Sequence, residues 1–261
     1  MQILNLIKPG NGIDYKIYSF PDGEKQLHIT GELDHKQDAK IICRITNGDD
    51  LFLLLQAADI LTAHGIDFTT DIKYLMSART DRRFDMGRPL SFKIVADILN
   101  TIPGTKNILE IHNPNKHYIN NVGNYIHGDV YVTGYETCFP DAGAAARYIN
   151  KSSLLCSKER NEDGSLVGFK LDNPYDYNGD PIVVIDDLCD AGGTFIGIAE
   201  LLRKELNPPK LALKVTHAIQ AKGIEIVANM YDEVFITNSY LDWENWEKLP
   251  SNVKVTDVCS A

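Results

Sequence analysis

The sequence predicts an α/β fold of two tandem units, each with a mainly parallel sheet and flanking helices. Three observations predict it. Short β-rich runs alternate with amphipathic helical stretches, and the alternation runs through the chain twice. The stretch "IVVIDDLCDAGGTF" (182–195) drives four apolar residues into two aspartates, then a Gly-Gly-Thr turn into a helix. No low-complexity linker separates the halves, and the boundary is expected near 125–135. That gives units 1–130 and 131–261, with a tail that can pack back on the first.

In order, "AKIICRIT" (39–46) reads as a buried strand and "DDLFLLLQAADILTAHG" (49–65) as a helix ending at Gly65. "DIKYLMSA" (71–78) is a strand, "RPLSFKIVADILNTI" (88–102) a helix beginning near Pro89, and "NILEIHN" (107–113) a strand. "GDVYVTG" (128–134) is strand-like, "DAGAAARYIN" (141–150) helical and "SSLLCS" (152–157) a strand. "DPIVVIDD" (180–187) is a strand followed by the helix "TFIGIAELLRKEL" (194–206). "KLALKVTHA" (210–218) and "DEVFITNS" (232–239) are expected as the last strands. The polar stretch 159–180, rich in Gly, Asp and Asn, is expected as a mobile loop or a hairpin.

Composition narrows the function. The 261 residues are 44% hydrophobic and 24% charged, with a formal net charge of -10. A nonspecific grip on nucleic acid needs a basic surface, so no nucleic-acid partner is expected. An acidic chain can still bind phosphates through Mg²⁺ and a few local cations. No apolar run is long enough to span a bilayer, and "MQILNLIKPG" lacks a signal-peptide layout. The five cysteines (Cys43, Cys138, Cys156, Cys189, Cys259) lack C-x-x-C spacing and read as reduced thiols. A soluble cytoplasmic protein is expected.

In open parallel sheets, ligands bind beyond the carboxyl ends of strands. Asp186 and Asp187 are placed at such an end. The turn Asp190, Ala191, Gly192, Gly193, Thr194 then opens a helix, whose free N–H groups and dipole suit a phosphate. The bare glycines admit it, and the aspartates would accept from ribose hydroxyls, directly or through a metal. An Asp-Asp pair by itself reads more plainly as a solvated strand tip.

This stretch resembles the phosphoribosyl-diphosphate (PRPP) binding signature of type I phosphoribosyltransferases. The whole chain more closely resembles the ribose-phosphate diphosphokinase (PRPP synthetase) family. "FPDGE" (20–24), "SARTDRR" (77–83), "RPLSFKIVADIL" (88–99), "EIHNP" (110–114), "FPDAG" (139–143), "VIDDLCDAGGT" (184–194), "THA" (216–218) and "ITNS" (236–239) fall in that family's order. The resemblance implies two type I phosphoribosyltransferase-like units, the first binding ATP and the second the ribose phosphate. It implies Mg²⁺-dependent transfer of the diphosphate of ATP to the C1 hydroxyl of a ribose 5-phosphate moiety, releasing AMP.

By the same resemblance, Phe20, Asp22 and Glu24 reach the adenine from a neighbouring subunit, which implies a homo-oligomer. Arg79, Asp81, Arg82 and His112 serve ATP. His112, Asp141 and Asp186 contact metal, and Asp186, Asp187 and 190–194 hold the ribose phosphate. Lys158 and Arg160, on a flexible catalytic loop, join Asp187 in catalysis. The residues alone leave plainer readings open: a charged turn at 79–83, an ordinary β-turn at "PDG" and a solvated hairpin after Lys158. His28, His35, His64, His117 and His127 stay unassigned, and His217 receives no catalytic role.

The chain departs from the family at several points. "FPDGE" arrives early, as though an N-terminal strand–helix portion were trimmed, and the segment between "PDAG" and "SKER" is short. Thr80 stands where Gln is usual, Glu110 where Asp is usual, and Ala191 where Thr or Ser is usual. Losing that hydroxyl removes a donor to a terminal phosphate and leaves room for a diester. ADP-ribose is therefore a second candidate acceptor, as in small phage-type relatives serving NAD salvage, where the cytoplasm would be the infected host's. Two further functions stay open: a transferase that uses PRPP, and a non-catalytic regulatory homologue.

Overall fold

The computed structural model describes every residue except 11, 84, 114–117, 127–131, 149–152, 162–165, 175–176, 244–245 and 261. The chain divides into two units, Met1–His127 with Val258–Ala261, and Gly128–Asp257.

The first unit contains β1 (Gln2–Asn5), β2 (Tyr15–Ser19), β3 (Lys25–Ile29), β4 (Ala39–Ile45), α1 (Gly48–Ala63), β5 (Phe68–Leu75), α2 (Ser91–Leu99), β6 (Lys106–Leu109) and β7 (Val122–Ile126). Its main sheet runs β1-β4-β5-β6-β7, all parallel, and β2 pairs β3 as a separate antiparallel ribbon. Five of the seven β4 residues are apolar and buried, because a parallel strand is covered on both faces, while Lys40 and Arg44 are only partly buried. α1 starts where Asn47 accepts from the Asp50 N–H, with Asp49 and Asp50 at the positive end of its dipole. Gly65, at positive φ, follows its end.

The second unit contains β8 (Glu136–Phe139), α3 (Ala142–Arg147), β9 (Leu154–Arg160), β10 (Leu166–Leu171), β11 (Ile182–Cys189), α4 (Gly193–Glu205), β12 (Leu211–Ala218), α5 (Ala221–Ala228), β13 (Glu233–Thr237) and β14 (Val253–Thr256). Its sheet runs β10-β9-β8-β11-β12-β13-β14, with only the β9–β10 pair antiparallel. Ile182 to Ile185 are all buried, and each contributes about 1.5–3 kcal/mol of burial to the core.

Several expectations are corrected. The aspartates do not end their strand. β11 continues to Cys189 because Asp186, Leu188 and Cys189 keep pairing with Val215, His217 and Ala218 of β12. Lys158 and Arg160 stand on β9 rather than on a loop, where they lie opposite Phe169 and Leu166. The polar stretch is thus a hairpin, and residues 162–165 of its turn lie outside the described residues. β5 starts earlier than expected, since Phe68, Thr69 and Thr70 pair with Ala39, Lys40 and Ile41. The strand expected at 128–134 falls partly outside the described residues, and Tyr135 N–H closes a turn onto Val132 C=O instead. β1, β2, β3, β7, α5 and β14 are not anticipated by the sequence pattern.

All five cysteines are buried and unbridged. No helix among the described residues is long and apolar enough to cross a membrane.

Candidate active site

In the second unit, the expected residues gather at the carboxyl edge of the sheet. β8 and β11 are parallel neighbours, so the segments leaving them emerge on the same side. From β8 comes Asp141, which caps α3: its Oδ1 accepts from the Ala144 N–H at 2.9 Å. Its Oδ2 lies 3.5 Å from Nζ of Lys158 on β9. From β11 come Asp186, Asp187 and the turn 190–192.

Sequence reasoning misses a residue that joins these groups. Arg147, the last residue of α3, is buried, and its Nη2 contacts Oδ1 of Asp186 and, at 2.9 Å, Oδ1 of Asp187. In "DAGAAARYIN" it is only a lone charge at the end of an alanine-rich stretch. Asp186 Oδ1 also accepts from the Asp187 N–H at 2.9 Å. Burial pushes the Asp186 carboxyl well above the usual range, the charge on Asp187 pushes the same way, and Arg147 opposes both.

The turn into α4 is built for close approach. Gly192 is left-handed (φ 84°), and a Cβ there would lie 2.7 Å from Val227 Cγ1. Beneath it, a Cβ on Gly223 of α5 would lie 2.1 Å from Asp190 C=O, so the turn rests directly on helix backbone. Gly193 differs: a Cβ there would meet nothing within 4 Å. No side chain caps α4, which leaves its first amides for an anion. Gln220 Nε2 donates to Asp190 Oδ1 at 2.6 Å, and Ala191 is exposed.

α4 also seats the hairpin that carries Lys158. A Cβ on Gly197 would lie 2.4 Å from the ring of Phe169, the residue opposite Lys158. The side chain of Arg160 lies outside the described residues.

In the first unit, Arg79 and Arg82 are exposed on the segment after β5, while Asp81 is buried. Asn113 Nδ2 donates to Asp81 Oδ2 at 2.6 Å, tying this segment to the one that carries His112 after β6. Asp81 is thus a tether within the unit. Phe20, Asp22 and Glu24 form the β2–β3 turn, whose hydrogen bonds are internal: Phe20 N–H to Glu24 C=O and Glu24 N–H to Asp22 Oδ1. Phe20 is half exposed. His217 is buried with Nδ1 2.8 Å from Ser239 Oγ, and His117 and His127 lie outside the described residues.

Among the described residues no three His, Cys, Asp or Glu side chains are arranged to hold a metal unaided. A hard cation that keeps its own waters needs only one or two carboxylates. The contacts of Asp186 with Arg147 and with the Asp187 N–H both fall on Oδ1, its carboxyl also neighbours that of Asp187, and its side chain is partly exposed, so Asp186 can supply one carboxylate to such a cation. Asp141 Oδ2 is also accessible.

No protein-family model matches the chain. Curated proteins do. A ribose-phosphate pyrophosphokinase of Pyrococcus abyssi is 28% identical over 249 residues, covering 88% of this chain and 85% of its own. That of Mycoplasmopsis pulmonis is 26% identical over 254 residues, covering 86% and 76%. The chain is a homologue of the ribose-phosphate pyrophosphokinases. The phosphoribosylpyrophosphate synthetase of Mycobacterium smegmatis superposes with a TM-score of 0.73 at 19% identity, over 95% of this chain and 87% of that one. The two proteins share a fold, an α/β architecture with mainly parallel sheets.

Proposed function

We propose that this chain transfers the diphosphate group of ATP to the C1 hydroxyl of ribose 5-phosphate, giving PRPP and AMP. The observation that carries the reading is the second unit's carboxyl edge. There the aspartate pair, the uncapped α4 turn and the Lys158–Asp141 contact adjoin one another. The homologues' names give the reaction class.

In this reading the α4 amides bind the 5-phosphate and Asp186 accepts from ribose hydroxyls. Lys158, with Arg160, neutralises charge developing on the transferring diphosphate, where positioning and cations do most of the work. Arg79, Arg82 and His112 hold the ATP phosphates from the first unit. Asp186 and Asp141 would hold Mg²⁺, which when bound neutralises phosphate charge. His112 suits a metal less well, because Mg²⁺ prefers oxygen. A homo-oligomer belongs to the proposal, supported by Ile17, Tyr18 and Phe20, all exposed on the β2–β3 ribbon.

Mass spectrometry of products from ATP, Mg²⁺ and ribose 5-phosphate tests the reading. AMP and PRPP are expected without any added base. AMP formed only in the presence of a base and PRPP would point to a transferase, and no turnover of any ribose phosphate to a non-catalytic homologue.

One observation favours a second acceptor, ADP-ribose, in NAD salvage. Ala191 is exposed and the space beside Gly193 is open, so a phosphodiester has room where a hydroxyl would otherwise bind a monoester. Running ADP-ribose beside ribose 5-phosphate decides between them.

A further inference from the structure

Successive strand residues point to opposite faces of a sheet. Asp186 and Asp187 nevertheless meet the same nitrogen of Arg147. A single donor can reach both only from the strand's edge. That edge is open here: β8 pairs with β11 only as far as Cys138 opposite Val184, and beyond that point Arg147 takes the place of a partner strand. It is held there from both sides. α3 runs from Ala142 to Arg147 behind its cap Asp141, so it spans roughly 9 Å at 1.5 Å per residue. The next residue, Tyr148, stacks on Phe139 with ring centroids 5.5 Å apart and 9° between planes.

We propose that Arg147 is a positioning residue for the ribose-phosphate acceptor: it locks the rotamers of Asp186 and Asp187 so that the Asp186 carboxylate meets the ribose hydroxyls. This rests on the ribose-phosphate reading of the site. A buried ion pair is a weak source of stability, so the consequence of this one is geometric. Both arginine contacts, and the Asp187 N–H, engage Oδ1 atoms. Asp186 Oδ1 is thereby committed to the protein, and the Asp186 carboxylate is held in one orientation. Asp187, buried more deeply, meets the same nitrogen at 2.9 Å. The same short helix is capped by Asp141, which contacts Lys158, so α3 connects the carboxylates at the acceptor with the cation proposed for the diphosphate.

The test uses the full chain and the variants Arg147→Gln and Arg147→Lys. Calorimetric binding of ribose 5-phosphate, KM for each substrate, kcat and melting temperature are measured. Both variants are expected to weaken ribose 5-phosphate binding and raise its KM roughly tenfold to hundredfold, with KM for ATP unchanged, since small misplacements of a positioned group cost that much. Lysine keeps the charge but carries it as a point charge on a shorter, flexible stem, so it rescues folding without rescuing the acceptor KM. If Arg147→Gln does not fold, Arg147→Lys decides. A folded variant with wild-type affinity for ribose 5-phosphate overturns the proposal, as does an equal rise in both KM values. A wild-type chain that binds no ribose phosphate overturns the functional reading, and this proposal with it.

Discussion

Lys158 Nζ stands 3.5 Å from Asp141 Oδ2, joining the middle of β9 to the cap of α3. Both side chains are about a third exposed, so the pair contributes under about 1 kcal/mol of stability. Its importance is positional. Lys158→Ala is expected to lower kcat roughly 10²–10³-fold, as for loss of one charge-stabilising donor. Steady-state AMP release and a thermal melt check this, with the melting temperature nearly unchanged.

Gly197→Ala sets two effects against each other. Alanine in a helix interior gains about 1 kcal/mol over glycine. The added Cβ would stand 2.4 Å from the Phe169 ring, and overpacking costs about 1–3 kcal/mol. The clash wins, so urea denaturation should show a net loss of roughly 1 kcal/mol. Because Phe169 lies opposite Lys158, kcat should fall as well.

Acid sensitivity has one source away from the site. Lys210, Lys254 and Tyr135 all hydrogen-bond Glu233 and hold its carboxyl down to about 2. A depressed carboxyl contributes stability above its unfolded value near 4.5, and that contribution is lost as pH falls toward 2. The lysines are about half exposed, so screening reduces the contribution to on the order of 1 kcal/mol. Glu233→Gln should lower stability at neutral pH and flatten the slope between those limits, read from denaturation curves over a pH series.

Ala191→Thr restores a hydroxyl beside the α4 turn. If ribose 5-phosphate is the acceptor, a new hydrogen bond to a charged phosphate should lower its KM roughly tenfold. Turnover of ADP-ribose should fall, since the added side chain fills open space. Parallel kinetics with the two acceptors check both halves.

The tail is a structural part of the first unit. Asn5 Nδ2 donates to Cys259 C=O at 2.8 Å, and both residues are buried. Deleting residues 258–261 orphans that donor, at a cost of roughly 1–3 kcal/mol. Urea denaturation should show the loss.

The parts of this architecture that are legible in the sequence are those where local pattern and burial agree. β11 and α4 are readable because four buried apolar residues lead to a glycine turn and an amphipathic run. β2 is not, because nearly all its residues are exposed and no alternation marks a buried face. The start of β5 is hidden because threonines follow Phe68, and the buried Thr70 looks polar in sequence. Arg147 is illegible for another reason. Its meaning comes from residues 39 and 40 positions away, and nothing near it in the chain distinguishes it from a surface charge. Gly223 is the same case: its role is to admit the backbone of the Asp190–Ala191 turn.

The Asn5–Cys259 bond also orders events in time. Its two ends are separated by 254 positions, and the whole second unit lies between them. A growing chain is made from its N-terminus, so every residue of the second unit is synthesised before Cys259. The first unit, although begun earlier, cannot close fully until the second has been made. During synthesis β1 therefore waits with a buried-type asparagine still wet, until the segment that carries Cys259 follows the second unit and latches onto it.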